Sequence, residues 1–281
     1  MAVKKGLPRS TKGGPGPERR ALWERLDQWW LLFLGVALFT VYLARSRPDP
    51  YLRILVFLRD GLRVTVGVTT VSFVFIMLVG LIGGLGRISK VPLIKGIASV
   101  YVEIIRGIPL LVQLMFIYYA SPIVIRELGL KLANSWPTLS ARLVAVKINP
   151  YGAAVVGLTI CYGAFMSEIF RAGIESIPKG QMEAARSLGM GYIKAMRYVI
   201  LPQAIRTILP PVGNEFISLL KDSSLVSVVA VADLTRRGRE FMASTFMPLE
   251  TWLMVALVYL LMTLFLSRVV AYVEERTSYY R

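Results

Sequence analysis

Predominantly apolar runs recur along this chain, each near the roughly 20 residues a helix needs to cross a hydrocarbon core of about 30 Å. They fall at residues 29–44, 64–86, 97–125, 151–170, 208–234 and 251–273. In lipid every backbone N–H and C=O must be satisfied internally, which leaves helices and closed barrels as spanning structures. The runs are continuous rather than alternating with period 2. The expectation is therefore an all-α, polytopic membrane helical bundle of about six transmembrane helices. A hydrophobic share of 55% over 281 residues agrees with that reading.

The polar residues narrow the class further. The net charge is +16, with 33 Lys and Arg against 17 Asp and Glu. These cations are dispersed through the segments between runs rather than gathered on one patch, which suits membrane lipid phosphates and argues against nucleic acid. The single cysteine, Cys161, lies inside a run. An intrachain disulfide and a Cys-based metal cage are thereby excluded. With no histidine in the sequence, His-dependent catalysis and His ligation of zinc or haem are excluded as well. No G-x-x-x-x-G-K-[ST] occurs, so no P-loop is expected and nucleotide would have to be bound elsewhere.

Residues 1–28 combine Gly and Pro with seven basic residues and cannot bury a core, so a flexible basic tail is expected there. Residues 29–45 read as an anchor helix with Trp29 and Trp30 at the interface. The long polar leader and the lack of a small-x-small cleavage site favour a retained anchor over a signal peptide. Six spans put both termini on one side. Loops on that side carry 18 Lys and Arg against 12 on the other, which predicts cytoplasmic termini. Two further features bear on packing. Gly80-x-x-x-Gly84 allows close helix approach. Arg106-Gly107-Ile108-Pro109 and Pro210-Pro211-Val212-Gly213-Asn214 are expected to interrupt their spans, as broken helices do along transport pathways.

Between the fourth and fifth runs stands a charged amphipathic segment, Glu183-Ala184-Ala185-Arg186-Ser187-Leu188-Gly189, followed by Val199-Ile200-Leu201-Pro202. Glu183, Ser187 and Met190 share one helical face, and Gly189 can end the helix. A surface helix of this kind, over about 183–192, can dock a cytoplasmic partner. Glu-Ala-Ala, three residues, Gly, nine residues, an aliphatic position, one residue, then Leu-Pro resembles the signature of permease subunits of prokaryotic ABC importers. Val199 stands where that family prefers Ile. The run from Tyr101 through Arg106, Pro109 and Gln113 to Leu114 is similar to the polar amino-acid branch. So are Tyr162 to Ile174, Ile177 to Gln181, Lys221 to Leu225 and the closing Tyr259 to Arg276.

The resemblance covers about residues 60–276 and implies a five-helix core of the type I importer kind, to which the anchor is an addition. It implies a transport subunit, not an enzyme, of an amino-acid importer in a prokaryotic cell membrane. Glu183, Ala184, Ala185, Gly189, Leu201 and Pro202 would form the coupling segment. Implied partners are ATP-binding subunits that hold ATP and Mg, a second permease copy or paralogue, and an extracellular or periplasmic amino-acid-binding protein. A permease for another small solute and an ATP-independent channel are the alternative readings.

The ionisable residue that stands out inside a span is Glu168, since an unpaired carboxylate there costs several kcal/mol. It can pair with Arg171 at i+3, or it can meet the ammonium or cationic side chain of a cargo. Ser167 beside it and Asn214 after the Pro-Pro step are the other expected cargo contacts. Asn214 can instead close a helix–helix hydrogen bond. Glu103 and Arg106 are expected to pair at i+3.

Overall fold

The structure is a computed structural model and describes residues 28–278, which leaves the expected basic tail (1–28) outside the described residues except for its last position. In chain order the helices are α1 (Gln28–Ser46), α2 (Arg53–Arg87), α3 (Pro92–Gly107), α4 (Leu110–Lys131), α5 (Pro137–Val144), α6 (Pro150–Glu175), α7 (Lys179–Ser187), α8 (Leu201–Asp222), α9 (Leu234–Thr245) and α10 (Pro248–Ser278). A π turn at Phe116–Ala120 lies within α4, another at Met196–Ile200 leads into α8, and a 3-10 segment, Ser223–Val229, follows α8. No strand occurs among the described residues.

Local chemistry explains several helix starts. Proline occupies the first turn of α3, α6 and α8, where its missing N–H costs nothing. Asn149 caps α6 by accepting from the Tyr151 N–H at 3.1 Å. Asp233 caps α9, accepting from the N–H groups of Thr235 and Arg236, each at 3.0 Å.

Five helices are long and apolar enough to cross a membrane: α1, α2, α4, α6 and α10. At 22 residues α8 is about 33 Å long, also sufficient to span, but its polar content holds it below that apolar set. The packing axis of the molecule is the seam between α2 and α6. A Cβ on Gly80 would stand 2.5 Å from Met166 Cγ, one on Gly84 2.8 Å from Phe170 Cβ, and one on Gly83 would overlap Ser167 Oγ. The small-residue stripe thus brings two backbones together, as close packing in lipid requires.

Around this seam Val68, Ile76, Leu114, Leu158, Met166, Leu219 and Val226 form the main core. A second cluster joins Ile54 and Leu58 of α2 to Leu234 and Phe241 of α9 and Met254 and Val255 of α10. There the Thr65 hydroxyl accepts from the Leu234 N–H at 3.0 Å.

The expected interruption at 106–109 is present: the run at 97–125 is two helices, α3 and α4, because Ile108 and Pro109 are extended (ψ 130° and 139°). Three expectations are corrected. The run at 208–234 ends as a helix at Asp222, and Leu234 already belongs to α9. Pro210 and Pro211 do not break α8. The carbonyls they deprive of donors, those of Arg206 and Thr207, belong to exposed residues and can be solvated. The surface helix is Lys179–Ser187 rather than 183–192, because Gly189 takes the left-handed conformation (φ +82°) and stops it.

Candidate functional site

Beside the α3–α4 break lies a cavity of about 420 Å³, walled by residues 106–110, by Cys161, Tyr162 and Phe165 of α6, and by Glu215, Ser218 and Asp222 of α8. The three α8 residues follow i, i+3, i+7 spacing and therefore share one helical face. The Tyr162 hydroxyl donates to Asp222 Oδ2 at 2.7 Å, which fixes that carboxylate at the wall. Arg106 also lines the cavity, and its guanidinium lies 5.1 Å from the centre of the Phe165 ring. Stacking on Phe165 replaces the expected pairing of Arg106 with Glu103 and keeps the cation at the cavity. The cavity thus presents two carboxylates and one guanidinium, and ionisable groups inside a spanning bundle face a cavity or one another.

The break itself is held from within. Gln113, 6% exposed, donates from Nε2 to the carbonyls of Ile105 and Ile108, both at 2.8 Å. Tyr101 adds a bond from α3 to α6, its hydroxyl donating to the Ile160 carbonyl at 2.7 Å.

None of the three expected cargo contacts lines this cavity. Glu168 accepts from Arg87 of α2 and is gripped by both ends of the Arg171 guanidinium, with Nε to Oε2 at 3.1 Å. Arg171 also pairs with Glu175. The local pairing read from the sequence is therefore present, extended by an arginine 81 residues earlier. Glu168 borders a separate groove with Ala172, Ser176, Thr207 and Pro211. Ser167 is fully buried in the α2–α6 seam and donates to the Gly163 carbonyl at 2.7 Å. Asn214 lies on an exposed side of α8, adjacent to Glu215 but outside the cavity wall.

The segment after α6 is compact. At the end of α7 the Met190 N–H donates to the Ala185 carbonyl and the Gly189 N–H to the Arg186 carbonyl, the paired bonds of a Schellman motif with glycine left-handed. Ala185 is buried beneath the turn, while Glu183 and Ala184 are exposed. Leu188 and Ile193 flank the turn at 84% and 79% exposure. Leu201 and Pro202 open α8 directly after the π turn, so the Leu-Pro pair begins a helix instead of breaking one. The Gln203 amide approaches Gln181 Oε1 at 3.5 Å, linking α7 to α8.

Comparison with known proteins agrees with this architecture. Residues 60–279 match the family described as binding-protein-dependent transport system inner membrane component. The glutamine transport system permease protein GlnP of Escherichia coli K12 is 38% identical over 217 residues, covering 77% of this chain and 91% of GlnP. The L-cystine transport system permease protein TcyB of Bacillus subtilis is 39% identical over 224 residues, covering 79% and 87%. Among solved structures, a crystal structure of an amino acid ABC transporter with histidines superimposes with a TM-score of 0.69 at 38% identity, covering 84% of this chain and 98% of that one. The chain belongs to the family of binding-protein-dependent transport system inner membrane components. It is a multi-pass permease subunit of the ABC-importer class.

Proposed function

We propose that this permease carries amino acids, and that the cavity bounded by Arg106, Glu215 and Asp222 receives them. The observation that carries the reading is the presence of one guanidinium and two carboxylates on the wall of a single cavity. An amino acid is a zwitterion: its α-carboxylate suits Arg106 and its α-ammonium suits Glu215 or Asp222. The remaining wall is residues 107–110 with Cys161, Tyr162, Phe165 and Ser218, a mixed polar and apolar lining in which the charged groups can fix orientation. The names of GlnP and TcyB, glutamine and L-cystine permeases, support the same cargo class.

In this reading Glu168 and Ser167 hold α6 against α2, and Asn214 contributes a lateral contact on α8. The Glu183-to-Gly189 segment, with Leu188 and Ile193 projecting beside it, is the docking element for an ATP-binding subunit, with Leu201 and Pro202 passing its movement into α8. That partner binds ATP and Mg and hydrolyses the ATP. A second copy or paralogue completes the pathway, and an external binding protein delivers the cargo. Both termini lie in the cytoplasm, as the 18-to-12 bias of basic residues supports.

The test is equilibrium binding of tritiated L-glutamine and L-cystine to the complex in nanodiscs without binding protein, with the other L-amino acids as competitors. Saturable binding, displaced by L-amino acids and weakened by Glu215→Gln, is expected. Binding of none of them would sink the cargo assignment and leave another small solute as the passenger.

A further inference from the structure

A helix that stops and restarts leaves carbonyls without donors. In an unbroken helix the Ile105 carbonyl would accept from the N–H of residue 109, but residue 109 is proline and has none. The Ile108 carbonyl precedes the Pro109 cap of α4 and lies outside both helices. Apart from a long 3.4 Å contact from the Ile108 N–H to Ile105, the donor that serves both carbonyls is the Gln113 amide, at 2.8 Å to each. One NH₂ group thus spans the break, one hydrogen to each side. The orientation of the amide follows, since turning it would set Oε1 against two carbonyl oxygens. That leaves Oε1 buried and without a partner, a cost accepted for the two bonds.

We infer that Gln113 is a positioning residue for cargo binding: its amide ties the two sides of the α3–α4 break and so holds Arg106, Gly107 and the extended Ile108 and Pro109 at the cavity wall. This rests on the reading of that cavity as the cargo site. Residues 106–110 all line it, yet Ile108 and Pro109 lie between the two helices and Gly107 is the last residue of α3. Without the amide, this stretch samples conformers that withdraw Arg106, and apparent affinity falls by the fraction that stays competent. Gln113→Met keeps the side-chain length and removes the unpaired Oε1 together with the two bonds, so the lost bonds are partly offset in stability while the constraint on the break disappears.

The experiment is a double-mutant cycle on the nanodisc complex, read as the dissociation constant of tritiated L-glutamine or whichever L-amino acid displaces it best. Gln113→Met is expected to weaken binding about tenfold when the competent fraction drops to about one in ten, with co-purification of the ATP-binding subunit intact. Pro109→Ala returns an N–H to the break. In that background Gln113→Met is expected to cost less than about threefold, because Ile105 no longer depends on the amide. Equal costs in both backgrounds, unchanged binding in Gln113→Met, or a loss of assembly that Pro109→Ala does not relieve would each overturn the inference. Glu215→Gln is measured in parallel. If it and Asp222→Asn both leave binding unchanged, the cavity reading itself fails; if either weakens binding while Gln113→Met does not, only the positioning role fails.

Discussion

Asp222→Asn isolates the charge of the cavity from its shape. The Tyr162 hydroxyl donates to Asp222 Oδ2 at 2.7 Å, and an asparagine carbonyl can accept the same bond, so the wall keeps its geometry. Among the charged residues lining the cavity, two carboxylates and one guanidinium become one of each. A hydrogen bond to a charged group is worth about 1.5–3 kcal/mol and one between neutral groups about 0.5–1.5, so the ammonium of the cargo loses about 1.5 kcal/mol. At 1.4 kcal/mol per decade that is about tenfold in the dissociation constant. The assay is equilibrium binding in nanodiscs without the external binding protein, because an uptake KM would contain the affinity of the delivery protein as well. Tyr162→Phe is the companion variant. It removes the donor but leaves the carboxylate charged, and is expected to cost about threefold, the smaller effect of a lost neutral donor. Dissociation constants for Asp222→Asn within twofold of the unmodified protein, for every L-amino acid that binds, would refute Asp222 as the partner of the α-ammonium and leave Glu215 in that role.

Three further outcomes are expected. Gly83→Val places branched carbon where Ser167 already packs, and should destabilise the permease by about 1–3 kcal/mol; an unshifted thermal midpoint in size-exclusion melts would contradict the close α2–α6 seam. Leu188→Asp, at a side chain 84% exposed, should abolish co-purification with the ATP-binding subunit without moving that midpoint; retained co-purification would remove the turn from the docking surface. Cys161 is the only cysteine in the sequence and lines the cavity, so saturating L-amino acid should slow its maleimide labelling at least about threefold by excluding the reagent from the buried site; equal rates with and without cargo would place cargo elsewhere.

What could be read from the sequence was what is encoded locally. Apolar runs disclose spans, Gly80 and Gly84 disclose a close helix approach, and the spacing from Glu183 to Gly189 discloses a surface helix with a stop. Each depends on residues within a single helix length of one another in the sequence. The cavity is not local: Arg106, Tyr162 and Asp222 meet only after α3, α6 and α8 have packed. Choosing the conspicuous intramembrane acid therefore selected Glu168, whose partner Arg87 lies 81 positions earlier and neutralises it at the α2–α6 seam. The signal that could have located the wall was nonetheless present. Glu215, Ser218 and Asp222 form a polar i, i+3, i+7 stripe on a helix that must otherwise face lipid or protein. The Pro-Pro step at 210–211 drew attention away from that stripe because proline was expected to end the helix. In α8 the deprived carbonyls belong to the exposed residues Arg206 and Thr207, so the helix continues and carries both acids onto one face. A break matters for transport where its carbonyls need an internal donor, as at Ile105 and Ile108, and much less where solvent can supply one.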